Sequence, residues 1–509
     1  MMEEPSELPE GWMWTKLRDV ADVITGNTPP KKDQENYGDY IPFVKPPELN
    51  DCIITKSVDN LSEKGAKIAR ILSPESILVS CIGILGKTGI NAVPIAFNQQ
   101  INAAIFSENI LPKYGFYYFQ TPEAKELLNK KSSSTTIPIV NKSRFKTLQF
   151  PLPPLNEQHR IVTKLEALLA QVNASKDHLA KVPQIGKQFR QSVLAAACSG
   201  ELTKEWRKEH PEVEPASELL KRIQEDRVQK YEEECRKVEA AGRKKPKKPM
   251  NLELEEFETA GLPTLPNNWL WTNLHNLASL ITKGATPTSY GFNYVDKGIN
   301  FVRVENIVNG SIDSNSLYHI TQETHEFLKR SQLRDNDILF SIAGTIGRSS
   351  IVRAHDLPAN TNQALAIIRL PYDHISIEYT HFALMNQTTI LNAQKEMRGV
   401  GMNNISLGDV NSFVIPIPPL SEQFQIVTKV ENLFSLADEV EQQYQKALYH
   451  VDHLTQSLLA KAFRGELVPQ DPNDEPASVL LERIKQERAK NEKEKKPRKK
   501  ESKTLLDYC

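Results

Sequence analysis

The sequence predicts a mixed α/β fold in two related halves: two globular domains separated by two long α-helices that form an antiparallel coiled coil, as a pseudo-two-fold internal repeat. A duplication is the first reason. The segment PLPPLNEQ at 151–158 returns as PIPPLSEQ at 416–423, and the match continues to GEL at 200–202 and at 465–467. A duplication of this length means two copies of one architectural unit. The second reason is a heptad pattern after each of these segments.

The two long helices are predicted from apolar residues spaced alternately by four and three positions. In the second copy the coiled-coil seam and partner scaffold comprises Ile426, Val430, Leu433, Val440, Tyr444, Val451, Leu454 and Leu458. In the first copy it comprises Ile161, Leu165, Leu168, Val172 and Leu179. The first seam weakens at Ser175 and Gly186, and Pro183 removes a helix hydrogen bond, which predicts a kink.

Both helices have a predicted start. Asn156 and Ser421 are N-cap residue types, and Glu157 and Glu422 place negative charge on the first turn. The prolines before them disfavour helix, which sharpens the boundary. The matched starts and lengths favour pairing of the two helices within one chain. The alternative is a seam that joins whole chains to one another.

The repeat divides the chain into four blocks, at 1–155, 156–257, 258–420 and 421–509. The first and third are irregular blocks with short apolar runs, which predicts strands, tight turns and short helices. The second and fourth are helical and end in basic runs at 242–249 and 495–500. Such runs are usually solvated linkers or tails, and a DNA-binding arm is the alternative.

Bulk composition narrows the function. The 509 residues carry a net charge of -1, so any nucleic-acid binding must come from local basic patches or from partner subunits. The five cysteines are scattered without a C-x-x-C pair, which predicts a reducing, cytoplasmic location. The N-terminus lacks the pattern of a signal peptide, and no apolar run approaches the ~18 residues of a membrane span.

No catalytic or metal-binding group of residues is predicted. The segment GILGKT at 83–88 is similar to a phosphate-binding loop, but its glycine spacing is wrong, and a tight strand-turn-strand fits it better. The histidines show no metal-ligand spacing. A self-contained methyltransferase or nuclease is therefore disfavoured.

Basic and amide side chains recur at matched places in the two irregular blocks. Arg and Lys suit guanine edges and phosphates, and Asn and Gln suit adenine. The alternative for the matched amides is a hydrogen bond inside a turn of the fold. The matched candidates for DNA contact are Lys45 with Arg303, Lys87 with Arg348, Asn98 with Asn362, and Gln99 with Gln363. Candidates from the loops that differ are Lys31, Asn141, Lys142, Arg144, Arg398, Asn403 and Asn404.

These motifs together resemble the specificity subunit of Type I restriction-modification enzymes. The resemblance rests on an irregular domain, then P-x-P-P-L-x-E-Q-x-x-I-V, then a long helix ending in GEL, all present twice over essentially the whole chain. The sequence departs from this pattern at Asn267-Asn268-Trp269, which stands where the first copy has Glu10-Gly11-Trp12.

The resemblance implies a reader and scaffold without an active site of its own. Each irregular block would be a target-recognition domain for one half of a bipartite, asymmetric site in double-stranded DNA. Two modification subunits would dock on the helices and carry the S-adenosylmethionine-dependent adenine-N6 methyltransferase chemistry, so this chain would bind no cofactor. Two motor-nuclease restriction subunits would join in the restricting form. A competing interpretation is a non-catalytic coiled-coil adaptor in another DNA-defence complex.

Overall fold

The computed structural model describes residues 7–133, 137–242, 244–246, 248, 251–256, 259, 262–371, 373–386 and 405–504, with side chains up to 490. By its contacts the chain divides into two units. Unit 1 is Met1–Ala180 with Tyr444–Cys509, and unit 2 is Lys181–Gln443. Among the described residues, no helix combines the length and the hydropathy that a membrane crossing requires.

The helices are short inside the α/β domains and long outside them. In chain order they are α1 Leu17–Val20, α2 Glu63–Ile68, α3 Pro112–Gln120, α4 Pro122–Lys130, α5 Lys142–Phe145, α6 Leu155–Leu179, α7 Val182–Ser199, α8 Lys204–Glu209, α9 Ala216–Ala240, α10 Leu274–Leu277, α11 Gln322–Phe327, α12 Ile377–Met385, α13 Leu407–Asn411, α14 Leu420–Phe463 and α15 Ala477–Thr504. Helix α14 begins in unit 2 and ends in unit 1.

Unit 1 contains three sheets. Its strands are β1 Met13–Lys16, β2 Ala21–Thr25, β3 Tyr37–Val44, β4 Cys52–Ile54, β5 Asn60–Leu61, β6 Ile71–Leu72, β7 Ile77–Ser80, β8 Thr88–Asn91, β9 Ile95–Phe97, β10 Ile101–Phe106 and β11 Gln149–Leu152. The sheet orders are β1-β11, β2-β10-β7-β8-β4 and β5-β3-β9-β6. The β3–β9 and β4–β8 pairs are parallel, and the other paired strands are antiparallel.

Unit 2 has a similar topology, with four strands in its larger sheet and three in the sheet that contains a parallel pair. Its strands are β12 Leu270–Asn273, β13 Leu280–Lys283, β14 Ile299–Val302, β15 Ile307–Val308, β16 Ser311–Ile312, β17 Tyr318–Ile320, β18 Ile338–Ser341, β19 Ser349–Ile351, β20 Ala359–Thr361, β21 Leu365–Arg369 and β22 Val414–Ile417. The sheet orders are β12-β22, β13-β21-β18-β19, β17-β14-β20 and the hairpin β15-β16. The parallel pair β14–β20 corresponds to β3–β9. The predicted two-domain α/β repeat is confirmed.

Each unit pairs one long-helix segment with a segment from the other long helix of the sequence, and the pairing is antiparallel. In unit 1, Lys176 of α6 forms an ion pair of 2.7 Å with Asp452 of α14, while Ile161 belongs to the same buried cluster as Phe463. In unit 2, Arg190 of α7 pairs with Asp438 at 2.6 Å. The first long helix is interrupted between Leu179 and Val182, next to the predicted kink at Pro183.

The seam is packed unevenly along its length. Six of the predicted residues are buried: Ile161, Leu165, Val172, Ile426, Val430 and Leu458. Leu168, Leu179, Leu433, Tyr444 and Val451 are half-buried.

Val440 and Leu454 lie outside the packed part of the seam, with 51% and 46% of their surface exposed. Val440 follows Asp438, opposite the stretch of α7 that contains Gly186, and Leu454 follows Asp452, opposite the stretch of α6 that contains Ser175. A glycine and a serine provide little apolar surface to cover them.

The repeated P-x-P-P-L-x-E-Q segment ties each long helix to the domain before it. In unit 1, the Tyr114 hydroxyl donates to the Pro151 carbonyl at 3.1 Å, and the Leu111 N–H donates to Gln158 at 3.0 Å. The helix begins at Leu155, so Asn156 is not the N-cap that the sequence suggested. Its amide instead donates to Asp474 at 3.2 Å.

Unit 2 makes the equivalent bonds. The Tyr379 hydroxyl donates to the Pro416 carbonyl at 2.7 Å, and the Ser376 N–H donates to Gln423 at 2.9 Å. Helix α14 likewise begins at Leu420, so Ser421 lies inside it. The repeated motif is therefore a joint between the last strand of a domain and the long helix that follows.

The glutamate of each joint is buried against the tryptophan that begins its domain. The Trp12 indole N–H donates to Glu157 at 2.9 Å, and the Trp269 indole N–H donates to Glu422 at 2.8 Å. The two sites differ in charge. Glu422 also accepts from Arg207 at 2.5 Å, whereas Glu157 accepts from the neutral amide of Gln470 at 3.2 Å.

We predict that Glu422→Gln destabilises unit 2 by at least about 2 kcal/mol, because it leaves the mostly buried guanidinium of Arg207 without its anion. The matched Glu157→Gln should cost less than about 1 kcal/mol, since Gln retains an acceptor for the Trp12 indole. Scanning calorimetry of the full chain gives the loss, and hydrogen exchange assigns it to a unit. Equal losses in the two variants would contradict the assigned difference in charge.

The pH dependence of unit 1 should report on the same joint. Burial raises the pKa of Glu157, partly offset by the hydrogen bonds from Trp12 and Gln470. Just above the ordinary carboxyl range the folded chain therefore holds a proton that the unfolded chain has released, so this group's contribution to stability falls as pH rises through that window. The difference in unfolding temperature between Glu157→Gln and the unsubstituted chain should grow in favour of the variant as pH rises above the ordinary carboxyl range.

Candidate nucleic-acid interface

A short turn with the pattern Gly-x-Thr-Pro follows the first strand of the larger sheet in each unit. In unit 1 the turn is 26–29, and the Thr28 hydroxyl hydrogen-bonds the Gln99 side chain. The backbone of Gly26 passes so close to the Asn98 carbonyl oxygen that any Cβ would collide with it. Glycine is therefore required by the close approach of two backbone segments.

Unit 2 builds the same corner at 284–287. The Thr286 hydroxyl hydrogen-bonds the Gln363 side chain, and a Cβ on Gly284 would collide with the Asn362 carbonyl oxygen. The sequence analysis missed this motif. The signal that could have found it is the recurrence of Gly-x-Thr-Pro at one place in both copies. We call this turn, together with its Asn-Gln partner, the corner.

Beside each corner lies a second turn, which the hydroxyl of one serine closes with two hydrogen bonds. In unit 1 the Ser80 hydroxyl donates to the Ile84 carbonyl at 2.6 Å, and the Lys87 N–H donates to the Ser80 hydroxyl at 2.9 Å. In unit 2, Ser341 makes both bonds, to Thr345 at 2.6 Å and from Arg348 at 2.8 Å. The phosphate-loop-like segment is thus a strand-turn-strand, as the sequence analysis favoured.

Of the matched amides, the asparagines form hydrogen bonds within the fold and the glutamines lie on the surface. Asn98 is buried, and its side-chain oxygen accepts the Gln100 N–H at 3.0 Å. The side-chain oxygen of Asn362 likewise accepts the Ala364 N–H at 3.1 Å. These bonds are the turn interaction that the sequence analysis kept as the alternative to DNA contact. Gln99 and Gln363 are exposed on the same turns.

The matched cations Lys45 and Arg303 have partners within their own domains. The Lys45 ammonium pairs with Asp59. The Arg303 guanidinium pairs with Glu305 at 2.7 Å and lies 3.4 Å from the ring centroid of Tyr318. Their charges are thereby partly neutralised, so a contact with DNA would have to compete with these bonds. Lys87 is half-buried, whereas Arg348 is exposed and donates to the Val304 carbonyl at 3.3 Å.

The candidates from the differing loops have separate environments. Lys31 is exposed two residues after the corner of unit 1. Asn141 caps α5 by accepting the Arg144 N–H at 2.9 Å, and Lys142 is exposed on that helix. The Arg144 guanidinium donates to the Lys131 carbonyl at 3.1 Å. Arg398, Asn403 and Asn404 lie outside the described residues.

Two surface clefts flank the Asn-Gln turn of unit 2. The first has a volume of about 450 Å³ and is lined by Lys283, Tyr290, Phe327, Arg330 and Gln363, among others. The second has a volume of about 360 Å³ and is lined by Arg348 and Asn362, among others. The structure therefore brings Arg348, Asn362 and Gln363 to one region, and it adds Lys283, Phe327 and Arg330, which the sequence analysis did not select.

Burial keeps two thiols and one imidazole neutral. Burial raises the pKa of Cys81 to about 12 and that of Cys198 to about 11, so both thiols stay protonated at neutral pH. Burial lowers the pKa of His381 to about 4, so its imidazole is uncharged there. Within the described part of the chain, no cluster of three or more His, Cys, Asp or Glu residues has the arrangement of a metal site.

We predict that Gly284→Ala destabilises unit 2 by about 1–3 kcal/mol, because the new methyl group forces the turn away from the Asn362 carbonyl. The control is Gly186→Ala in α7, where a Cβ meets no atom within 4 Å and a small gain of up to about 1 kcal/mol is expected. Unfolding midpoints of the two variants measure both effects. A Gly284→Ala chain as stable as the unsubstituted chain would contradict the close approach.

Comparison with known proteins identifies the family. The model of the Type I restriction modification DNA specificity domain matches residues 9–184 and 266–449. The chain is 32% identical over 506 residues to the Type I restriction enzyme EcoBI specificity subunit of Escherichia coli, covering 96% of this chain and 95% of that protein. It is 28% identical over 521 residues to the EcoKI specificity subunit of Escherichia coli strain K12, covering 97% and 99%.

Solved structures agree in fold. A chain from a type I R-M system superposes with a TM-score of 0.61 at 18% identity, covering 91% of this chain and 100% of that one. The HsdS subunit from Thermoanaerobacter tengcongensis superposes with a TM-score of 0.51 at 18% identity, covering 92% and 100%. Two matched domains, two matched joints and both family-model segments lead to one conclusion: the chain belongs to the Type I restriction modification DNA specificity family and is the DNA sequence-recognition subunit of such a system.

Proposed function

We propose that this chain reads a bipartite, asymmetric site in double-stranded DNA, with the domain at 1–155 reading one half and the domain at 258–420 reading the other. The observation that carries the proposal is the pair of corners. Both units have the same turn, the same threonine–glutamine hydrogen bond and the same neighbouring turn closed by a serine hydroxyl. The residues around these features differ between the units. A retained frame with different surroundings suits two readers of different base sequences.

The proposed readers act through groups at these corners. Gln99 and Gln363 are exposed amides that can hydrogen-bond base edges, and Lys87 and Arg348 are cations beside them. Lys31, Lys142 and Arg144 would add contacts in the first domain, and Arg398, Asn403 and Asn404 in the second. Asn98, Asn141 and Asn362 would act less directly, because each supports a turn or a helix start. Lys45 and Arg303 would have to release a carboxylate partner before binding a phosphate.

We further propose that the helices at 156–257 and 421–509 scaffold two modification subunits. The exposed apolar residues Val440 and Leu454 support this, since a partner helix could cover what the seam leaves open. S-adenosylmethionine and the adenine-N6 methyl transfer would belong to those subunits, in the cytoplasm where the DNA lies. Two restriction subunits would join the complex in its nuclease form.

Exchange of one domain tests the modular proposal. Residues 1–150 are replaced by the corresponding domain of a second specificity subunit, and the chimera is produced in cells with its modification partner. Sequencing of methylated adenines should show one half-site changed and the other retained, because each corner is built entirely within its own unit. A change in both halves, or in neither, would refute independent reading by the two domains.

A separate experiment tests whether the chain has methyltransferase activity of its own. Purified without partners and incubated with labelled S-adenosylmethionine and DNA, it should transfer no methyl group. Native mass spectrometry of the active complex should give two modification subunits for each copy of this chain. Methyl transfer by the chain alone would instead support the self-contained enzyme.

A further inference from the structure

Two arginines occupy matched positions beside the corners, and neither was selected from the sequence. In unit 1 the Arg70 guanidinium donates to the carbonyl of Thr25, the residue before Gly26. In unit 2 the Arg330 guanidinium donates to the hydroxyl of Thr282 at 2.9 Å, on the strand that leads to Gly284. Both arginines are exposed. A guanidinium has five N–H donors, and the bond to the strand uses only one of them.

Each arginine follows a short capped helix that fixes its approach to the corner. In unit 1, Ser62 caps α2, and Arg70 comes just after that helix ends. In unit 2, Thr321 caps α11, and Arg330 lies in the 3₁₀ turn that follows it. The equivalent helix in the two domains therefore delivers the same residue type to the same strand end.

Unit 1 adds a second tie between the helix end and the corner. The Asn27 side chain lies inside the Gly-x-Thr-Pro turn and donates to the Ile68 carbonyl at 3.0 Å. Its oxygen accepts the Arg70 backbone N–H at 2.8 Å. Arg70 is thus attached to the corner through both its backbone and its side chain. A cation held in this way loses less conformational entropy on binding an anion than a free surface lysine would.

The surroundings of Arg330 carry positive charge. Arg330 lines the cleft of about 450 Å³ described above and also a neighbouring cleft of about 400 Å³. Lys283 lines the first, and Lys329 and Arg334 line the second. Among the described residues that line these two clefts there is no Asp or Glu. In a chain of net charge -1, this is a local basic surface of the kind that DNA binding needs.

The recurrence of arginine indicates which part of the DNA it would contact. Base edges differ between the two halves of an asymmetric site, whereas the phosphates are the same in both. A group retained in both domains, amid loops that differ, is therefore suited to the phosphate. Arginine is also the side chain whose planar donors match phosphate oxygens in pairs.

We propose that Arg70 and Arg330 are matched phosphate anchors, which hold the DNA backbone at equivalent points of the two half-sites while neighbouring side chains read the bases. The proposal rests on the proposed function, since it assumes that each corner faces DNA. It gives the two domains a common docking register that does not depend on sequence.

The test uses Arg70→Gln, Arg330→Gln and the double variant, each as the full chain co-purified with its modification partner. Glutamine retains an N–H donor for the strand but removes the charge. Affinity is measured on a duplex carrying the site methylated in cells and on a duplex without it, over about 50–200 mM salt. Lys130→Gln and Lys221→Gln remove exposed lysines that are paired within helices elsewhere in units 1 and 2, and they serve as charge-matched controls.

We expect each arginine variant to bind both duplexes several-fold more weakly at about 150 mM salt, with the salt dependence of log K less steep by about 0.9. The double variant should lose twice that slope, the controls should lose none, and the methylated sequence should stay the same. An unchanged slope in both variants overturns the proposal, and so does an altered half-site sequence, which would make the arginines base readers. If the unsubstituted complex fails to prefer its own site, the proposed function fails instead.

Discussion

A buried carboxylate at the first turn of each long helix is the interaction on which the rest of the structure depends. Glu157 and Glu422 accept the indole N–H of the tryptophan that begins the domain, and Gln158 and Gln423, which follow them, bind the N-terminal ends of α3 and α12. The first and last strands of each domain, β1 with β11 and β12 with β22, pair at the same place. The start of the domain, its end and the helix therefore meet at one joint. Burying a carboxylate is costly unless it is hydrogen-bonded, so the joint holds only when all three parts are in place.

Neither unit is a continuous piece of sequence, and the segment that completes each joint comes from after the other long helix. In unit 1 the Ala477 N–H donates to the Gly11 carbonyl at 2.9 Å, and in unit 2 the Ala216 N–H donates to the Asn268 carbonyl at 3.0 Å. The amphipathic helices α15 and α9, which begin at these alanines, bury the equivalent residues Leu480 and Leu219. Unit 1 thus needs both ends of the chain, whereas unit 2 is completed from the middle. The internal repeat therefore includes the contacts at the joint as well as the two α/β domains.

The sequence was sufficient for the features that rest on local chemistry. Heptad spacing predicted the long helices, and Pro183 marked the place where the first of them is interrupted. The glycine spacing at 83–88 argued against a phosphate-binding loop, and the segment is indeed a tight turn between two strands. It was insufficient where a residue acts at long range. Asn156 has the chemistry of an N-cap, but the helix already begins at Leu155, and the Asn156 amide donates to Asp474, far along the chain. Periodicity identified the apolar stripe, yet it could not show that Gly186 and Ser175 leave Val440 and Leu454 uncovered. Arg70 and Arg330 were missed because their equivalence depends on the strand they reach, and their spacing from the helix start differs by one residue.

The corners show how one frame can present two chemistries. The side-chain oxygens of Asn98 and Asn362 both accept a backbone N–H within their own turn. The residues common to the two copies therefore mainly hold the backbone of the turn in place. The positions that follow the turn diverge. Unit 1 continues with Lys31 and Lys32, and unit 2 continues with Ser289 and Tyr290, whose ring lies 5.5 Å from that of Phe327. Lysines favour phosphates and guanine edges, while an exposed aromatic pair favours apolar contact such as a thymine methyl group. Because the frame is held by glycine and threonine contacts that do not involve these positions, their side chains can change without loss of the corner. Under the proposed function, the same separation would let the specificity of one half-site vary while the joint, the helices and the other domain remain as they are.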